Sequence, residues 1–192
     1  MTQPAKVLAT ADVRRICARA RNSRHARRNL VIVLLSVKAG LRAAEIAGIT
    51  WPMVLTAKGR IANSITVANT IGKNGRGRQL PMHPDISRAI EVLHRSLGRP
   101  SLGPVIQSQR GSHMKPRSIV NWFAGVYEEL GLNGCSSHSG RRTFITNAAR
   151  LVCKTGGSLR DVQELAGHSA LTTTERYIEG NRDAQRKLVR ML

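Results

Sequence analysis

The sequence contains few acidic and few aromatic residues. It has 11 Asp and Glu against 31 Lys and Arg, for a net charge of +20, and only six aromatic side chains among 192 residues. So few aromatics argue against binding single strands by base stacking. The excess of cations is spread along the chain and favours a polyanionic partner, most simply duplex DNA contacted through its phosphates. A solubility surface or a ribosome-associated protein would have the same composition.

Disulfide frameworks and long apolar runs are also lacking. The three cysteines, Cys17, Cys135 and Cys153, are odd in number and show no framework spacing. The chain has no run of 18 apolar residues and no N-terminal hydrophobic signal region. We therefore expect a cytoplasmic protein with reduced thiols and no membrane partner, associated with the nucleoid if DNA is its partner.

Recognisable metal and nucleotide motifs are incomplete. Cys135-x-x-His138 resembles half of a zinc site, but no second Cys/His pair follows at zinc-like spacing. The glycine-rich run from Gly72 to Gly77 lacks the order of a phosphate-binding loop. The sequence therefore predicts neither a metal nor a cofactor.

Hydrophobic periodicity and helix-terminus signals predict a mainly α protein with one small antiparallel β-sheet, an α+β fold. Thr10 is the expected N-cap of the first helix, and Gly40 suits the end of the second. The predicted helices are 11–28, 30–40, 41–46, 84–97, 116–131, 139–153, 159–166, 170–178 and 182–191.

A β-hairpin is predicted between residues 65 and 82. Alternating β-branched residues from Ile65 to Ile71 indicate one strand, and Asn74-Gly75 is typical of a type I′ turn. The second strand returns over 76–82, which puts Lys73 at the tip of the hairpin.

Several cationic side chains and one tyrosine form a pattern suited to phosphate chemistry. A free tyrosine has a pKa of about 10 and is a weak nucleophile, so the attack of Tyr177 on a phosphodiester needs cations around the phosphate oxygens. Arg42 and Arg141 could clamp those oxygens, because a guanidinium contacts two at once. Glu45 follows Arg42 at i+3, within reach of it.

The remaining candidates would complete such a site. His138 lies three residues before Arg141 and could share the same oxygens, and His168, after a helix-ending glycine, could add a neutral donor. Lys73 could protonate the departing oxygen as general acid. Taken singly, each of these residues is more often a surface charge or a packing residue.

Together these elements resemble the tyrosine recombinases, the phage integrase family. The matching elements, in chain order, are Gly40-Leu41-Arg42-x-x-Glu45, Ile71-Gly72-Lys73, His138-x-x-Arg141, Leu165-x-Gly167-His168 and Tyr177. Two departures are His138-Ser139-Gly140-Arg141-Arg142, where the family commonly has His-x-Leu-Arg-His, and a longer stretch between Arg141 and His168 that indicates an insertion at 152–157. The resemblance covers about residues 8 to 180.

The resemblance implies the catalytic-domain fold, catalytic Arg42, Lys73, His138, Arg141 and His168, the nucleophile Tyr177, and Glu45 in support. It implies strand exchange on double-stranded DNA through a 3′-phosphotyrosine, without ATP or metal, by a protein that is monomeric in solution and tetrameric on paired sites. Residues 1–180 would form the catalytic domain and 181–192 a helical tail exchanged between subunits. The N-terminal DNA-clamp domain is expected to be absent.

Two other functions remain open at this point. A non-catalytic DNA-binding accessory protein could have the same fold, although it would not need a tyrosine at the phosphate. A type IB topoisomerase would share the chemistry and relax supercoils without pairing two sites.

Overall fold

A computed structural model describes residues 5–177, 186 and 189–190. Within them the chain is mainly helical with one two-stranded antiparallel sheet, which confirms the predicted fold class. The helices are α1 (Thr10–Arg21), α2 (Ala26–Ala39), α3 (Ala43–Gly48), α4 (Pro84–Ser96), α5 (Pro116–Glu129), α6 (Ser139–Leu151), α7 (Leu159–Ala166) and α8 (Leu171–Glu175). The strands are β1 (Ser64–Val67) and β2 (Arg78–Pro81).

Helix α2 is the centre of the core. Nine of its 14 residues are buried, and it packs against α1, α4 and α6. It ends at Gly40, whose φ of +63° is the left-handed conformation expected from the sequence. The N–H of Leu41 donates to the carbonyl of Leu35 over 3.0 Å, so the chain leaves the core in a fixed direction toward Arg42.

The single helix predicted for residues 11–28 is wrong, because α1 ends at Arg21 and α2 starts at Ala26. Ser23 Oγ donates to the carbonyl of Ala20 over 2.6 Å and accepts from Asn29 Nδ2 over 2.8 Å. These side chains satisfy polar groups that a continuous helix would use, so they break it.

The start of α1 also differs by one residue from the prediction. The N-cap is Ala9 and not Thr10, and the N–H of Ala9 donates to Asp12 Oδ2 over 3.2 Å. The first-turn carboxylate therefore replaces the hydroxyl as the capping acceptor.

The type I′ hairpin is also wrong, although the two strands exist. Val67 pairs with Arg78 as the last register pair, so residues 68–77 form a long connection. A Cβ atom on Gly48 would come within 2.5 Å of Ile71 Cγ2, which shows that Ile71 packs against α3 instead of extending β1. Lys73 and Gly75 bound a short 3₁₀ turn within this connection.

The later helices agree with the predicted spans within about three residues. The end of the predicted 139–153 helix is a 3₁₀ turn at Val152–Thr155, and α8 ends at Glu175 rather than at 178. Buried Ile145 and Val162 join α6 to α7 in a second small core. Of the predicted helix 182–191, residues 186 and 189 are helical, and its other residues lie outside the described part of the chain.

None of the helices in the described ranges has the length and apolar character needed to cross a membrane. The three cysteines are free thiols, with Cys17 buried, Cys135 half-buried and Cys153 exposed.

Candidate active site

The six predicted catalytic side chains line one cavity of about 440 Å³. They come from four parts of the chain: the end of α2, the β1–β2 connection, the start of α6, and the segment from the end of α7 through α8. The six are Arg42, Lys73, His138, Arg141, His168 and Tyr177. Residues separated by up to 135 positions in sequence thus meet around one space.

Behind the cavity wall, Glu45 is held by two arginines. Its carboxylate is 1% exposed and accepts from Arg42 Nη1 over 2.9 Å and from Arg42 N over 2.9 Å. Arg78 donates two further bonds, from Nη1 over 2.8 Å and from Nη2 over 3.0 Å. The predicted contact between Arg42 and Glu45 is therefore present, and Arg78 is a partner that the sequence did not predict.

These bonds keep Glu45 ionised. Burial alone would raise the pKa of its carboxyl, but the hydrogen bonds and charges of Arg78 and Arg42 outweigh burial and lower it below its ordinary value. A fixed negative charge therefore sits beside Arg42 and orients its guanidinium toward the cavity.

Arg141 is a buried cation at the base of the cavity. Arg141 is only 4% exposed. Its guanidinium donates to the carbonyls of Gly40 and Ala166, each over 2.6 Å. Burial, reinforced by the nearby charge of Arg42, lowers its pKa to about 10. Arg141 thus remains charged at neutral pH and ties the end of α2 to the end of α7.

Two arginines bind the last carbonyls of α7. Arg78 Nε donates to Leu165 O over 3.0 Å, next to the bond between Arg141 and Ala166. Cations are favourable at this end of a helix because the helix dipole is negative there. The helix then ends at Gly167, where φ is +61° and an added Cβ would lie 3.0 Å from Arg78 Cδ. A side chain here would be strained by the backbone conformation and crowded by Arg78, so glycine is favoured.

The turn at Gly167 brings His168 to the cavity. The N–H of His168 donates to Gln163 O over 3.1 Å, and its carbonyl accepts from Gln163 Nε2 over 3.0 Å. Its Nδ1 lies 2.9 Å from Thr174 Oγ1. Burial, together with the positive charges of Arg141, Arg42, Arg78 and Lys73, lowers the pKa of His168 to about 4, so the ring is neutral at physiological pH.

Tyr177 is half-buried at the edge of the cavity. Its ring stacks on the His168 ring with centroids 5.7 Å apart and an interplanar angle of 23°. Arg142 lies over the same tyrosine ring, with Cζ 5.7 Å from the centroid, at the distance of a cation–π contact. The phenol ring therefore contacts both an imidazole and a guanidinium.

His138 and Lys73 are the least constrained of the six. His138 is the N-cap of α6, and its carbonyl accepts from Arg142 N over 2.9 Å, but its imidazole makes no hydrogen bond with any described residue. Lys73 is exposed at the start of the 3₁₀ turn. Both side chains can thus reach toward a ligand in the cavity.

Three residues of the site were not singled out from the sequence. Arg78, Arg142 and Thr174 each contact a predicted site residue. Arg142 was noticeable only as a departure from a motif, and Arg78 only as one of three cations near the hairpin. No spacing rule connects Arg78 to Glu45 or Thr174 to a histidine ring, since both contacts depend on how the elements pack.

Comparisons with known proteins identify similar sequences and a similar fold. A model described as the phage integrase family matches residues 6–183. The tyrosine recombinase XerC of Pelobacter propionicus is 30% identical over 152 residues, which cover 78% of this chain and 47% of the relative. XerC of Pseudomonas fluorescens is 32% identical over 155 residues, covering 79% of this chain and 48% of that protein. The chain thus spans about half the length of the curated relatives it matches.

The same fold is found in solved structures. The Tn1549 transposon integrase, in complex with a circular intermediate DNA, superposes with a TM-score of 0.76 at 18% identity, over 100% of this chain and 67% of that one. At this identity the likeness concerns the fold alone.

Proposed function

The chain belongs to the phage integrase family, and on that premise we propose that it is a site-specific DNA recombinase that cleaves and rejoins strands through a 3′-phosphotyrosine. The observation that carries the proposal is the meeting of Tyr177 with five basic side chains around one cavity. Its bound ligand would be one phosphodiester of double-stranded DNA, an anion that matches the +20 charge of the chain.

Cleavage would start when Tyr177 gives up its phenolic proton to solvent and its oxygen attacks the phosphorus atom. Negative charge then grows on the non-bridging oxygens, and Arg42 and Arg141 would stabilise it from fixed positions. Neither guanidinium has to reorganise much, because Glu45 orients the first and two backbone carbonyls hold the second. His138 and His168 would donate to the same oxygens.

The bond to the 5′ oxygen of the DNA would break as the tyrosyl ester forms. Lys73 is proposed to protonate that departing oxygen, which leaves a free 5′-hydroxyl. In the reverse step a 5′-hydroxyl of a partner strand attacks the phosphotyrosine and releases Tyr177. The ester conserves the energy of the broken bond, so the exchange needs no ATP or metal.

We further propose that the protein is monomeric in solution and forms a tetramer on two paired DNA sites, with residues 1–180 as the catalytic domain. Residues 181–192 would be exchanged between subunits through Ala184, Leu188, Met191 and Leu192. These four residues form an apolar stripe in the sequence, and they lie outside the described part of the chain. A protein acting on chromosomal DNA would be located with the nucleoid in the cytoplasm.

Trapping of the covalent intermediate tests the proposal. The protein is incubated with a nicked suicide duplex, from which the cut strand end diffuses away, and the products are separated on a denaturing gel. Wild type should form a protein–DNA adduct, and Tyr177→Phe should bind the duplex equally well without forming one. DNA binding without an adduct in wild type would favour the non-catalytic accessory protein.

A topological assay separates recombination from relaxation. A supercoiled plasmid with one site and a plasmid with two sites are compared. If both plasmids are relaxed and no strands are exchanged between the two sites, the result would favour a type IB topoisomerase over a recombinase.

A further inference from the structure

The contact between His168 and Thr174 has only one arrangement that satisfies both groups. Thr174 is 0% exposed, and its hydroxyl lies 2.9 Å from His168 Nδ1. Among the described residues this nitrogen is the hydroxyl's only hydrogen-bond partner. A buried hydroxyl that keeps its proton unpaired is destabilising, since it has lost its bonds to water.

A neutral imidazole carries its proton on one nitrogen and accepts at the other. If Nδ1 carried the proton, it would donate to Thr174, and the threonine proton would have no acceptor. If instead Thr174 donates to Nδ1, the hydroxyl proton is paired and the ring proton must be on Nε2. Satisfaction of the buried hydroxyl thus selects the second arrangement.

The other edge of the ring has a different environment. His168 lines the cavity together with Arg42 and Arg141, and its Nε2 has no hydrogen-bond partner in the described part of the protein. Burial and the surrounding cations keep the ring uncharged at neutral pH, since they lower the pKa of His168 to about 4. A neutral ring can donate into the cavity only if Nε2 carries the proton.

We propose that Thr174 is a positioning residue that holds His168 as the Nε2–H tautomer, so that the neutral ring donates a hydrogen bond to a phosphate oxygen in the cavity. The phosphate contact rests on the proposed function, whereas the tautomer does not. Gln163 bonds both the N–H and the carbonyl of His168 and so fixes its backbone. The ring itself is held by the bond to Thr174 and by stacking on Tyr177.

The tautomer is measured directly in the free 192-residue protein. Histidine ring nitrogens are ¹⁵N-labelled, their long-range proton correlations are recorded at pH 7, and the His168 signals are identified by their loss in His168→Gln. Wild type should show a protonated Nε2 and an unprotonated, hydrogen-bonded Nδ1. A protonated Nδ1 in wild type would overturn the proposal without the need for any further variant.

Two substitutions then test the role of the hydroxyl. Thr174→Val keeps the volume and removes the donor, and it should lose the preference for Nε2–H, whereas Thr174→Ser should keep it. On a suicide duplex, Thr174→Val should cleave about 10–100-fold more slowly, by analogy with the loss of a hydrogen-bond partner that orients a metal-bound histidine. Its affinity for the uncut duplex should change less than threefold, and Thr174→Ser should restore most of the rate.

Thr172→Val serves as the matched control, because Thr172 is exposed on the same helix. It should leave both the tautomer and the cleavage rate unchanged. If Thr174→Val keeps the Nε2–H tautomer, Thr174 is not the residue that sets it and the proposal fails. If no variant, wild type included, cleaves DNA while the tautomers behave as expected, the proposed function fails and the tautomer assignment stands.

Discussion

Glu45 and Arg78 form a buried two-bond ion pair across 33 positions of the sequence. Arg78 Nη1 and Nη2 lie 2.8 and 3.0 Å from the two carboxylate oxygens of Glu45, and the two side chains are 8% and 1% exposed. The same carboxylate binds Arg42, which lines the cavity. Arg78 therefore supports the candidate active site without lining it.

Arg78→Met is expected to lower the free energy of unfolding by about 3–5 kcal/mol. The physical reason is that the buried carboxylate of Glu45 would keep its two hydrogen bonds from Arg42 and lose the two from Arg78. Urea denaturation followed by circular dichroism measures this change. Arg88→Met is the control, since Arg88 is 75% exposed and pairs with Asp85 at the surface, where such pairs contribute about 0–1 kcal/mol.

The double variant Arg78→Met with Glu45→Gln distinguishes a buried charge from lost packing. It should be more stable than Arg78→Met alone, because the uncompensated negative charge is gone. If the loss of unfolding free energy in the double variant equals the sum of the losses in the two single variants, the unpaired charge of Glu45 is not the cause of the instability.

Arg42→Gln should slow cleavage of a suicide duplex by about 100-fold or more while changing duplex affinity only modestly. The physical reason is that Arg42 is proposed to meet charge that grows during the attack by Tyr177. Single-turnover cleavage and equilibrium binding are measured at the same salt concentration. Arg88→Gln, on α4 and away from the cavity, is the control. If Arg42→Gln loses only duplex affinity and not the cleavage rate, Arg42 contacts the DNA backbone without acting on the transition state.

The low pKa of His168 predicts a specific pH dependence of stability. The unfolded histidine has a pKa of about 6.5, whereas in the fold the pKa is lowered to about 4. Between these values the unfolded chain binds more protons, so this group lowers stability as pH falls from 6.5 to 4 and contributes no slope above that range. His168→Gln should therefore lose stability less steeply than wild type between pH 6.5 and 4.

The measurement is urea unfolding at several pH values, with the slope of wild type compared with that of the variant. An NMR titration of the His168 ring provides the independent check. A ring that becomes charged near pH 6.5 would contradict the prediction and the half-buried, cationic environment on which it rests.

Deletion of residues 182–192 tests the proposed exchange between subunits. If the tail docks on a neighbour, the shortened protein should fold and bind a single site normally, yet form fewer four-subunit complexes on paired sites. Circular dichroism and gel retardation with one-site and two-site DNA give the two readouts. Unfolding would show that the tail packs on its own domain, and undiminished tetramers would rule the exchange out.

Local sequence signals located most of the helices, because capping residues, glycines and apolar periodicity act over a few neighbouring positions. They failed where side chains compete with the backbone, as Ser23 and Asn29 do between α1 and α2. They also failed at the hairpin, where the packing of Ile71 against Gly48 outweighs the turn preference of Asn74-Gly75. That preference is local, and the tertiary contact overrides it.

The sequence by itself determined the helical fold class, the strand pair, and the order and spacing of the six candidate catalytic residues, all of which depend on residue type and separation along the chain. Only the tertiary structure decided that Arg78 holds Glu45, that Arg141 joins the ends of α2 and α7, and that Thr174 meets the ring of His168. These partners have no fixed separation in sequence. They are selected because each buried charge or hydroxyl must find a hydrogen-bond partner once packing has excluded water.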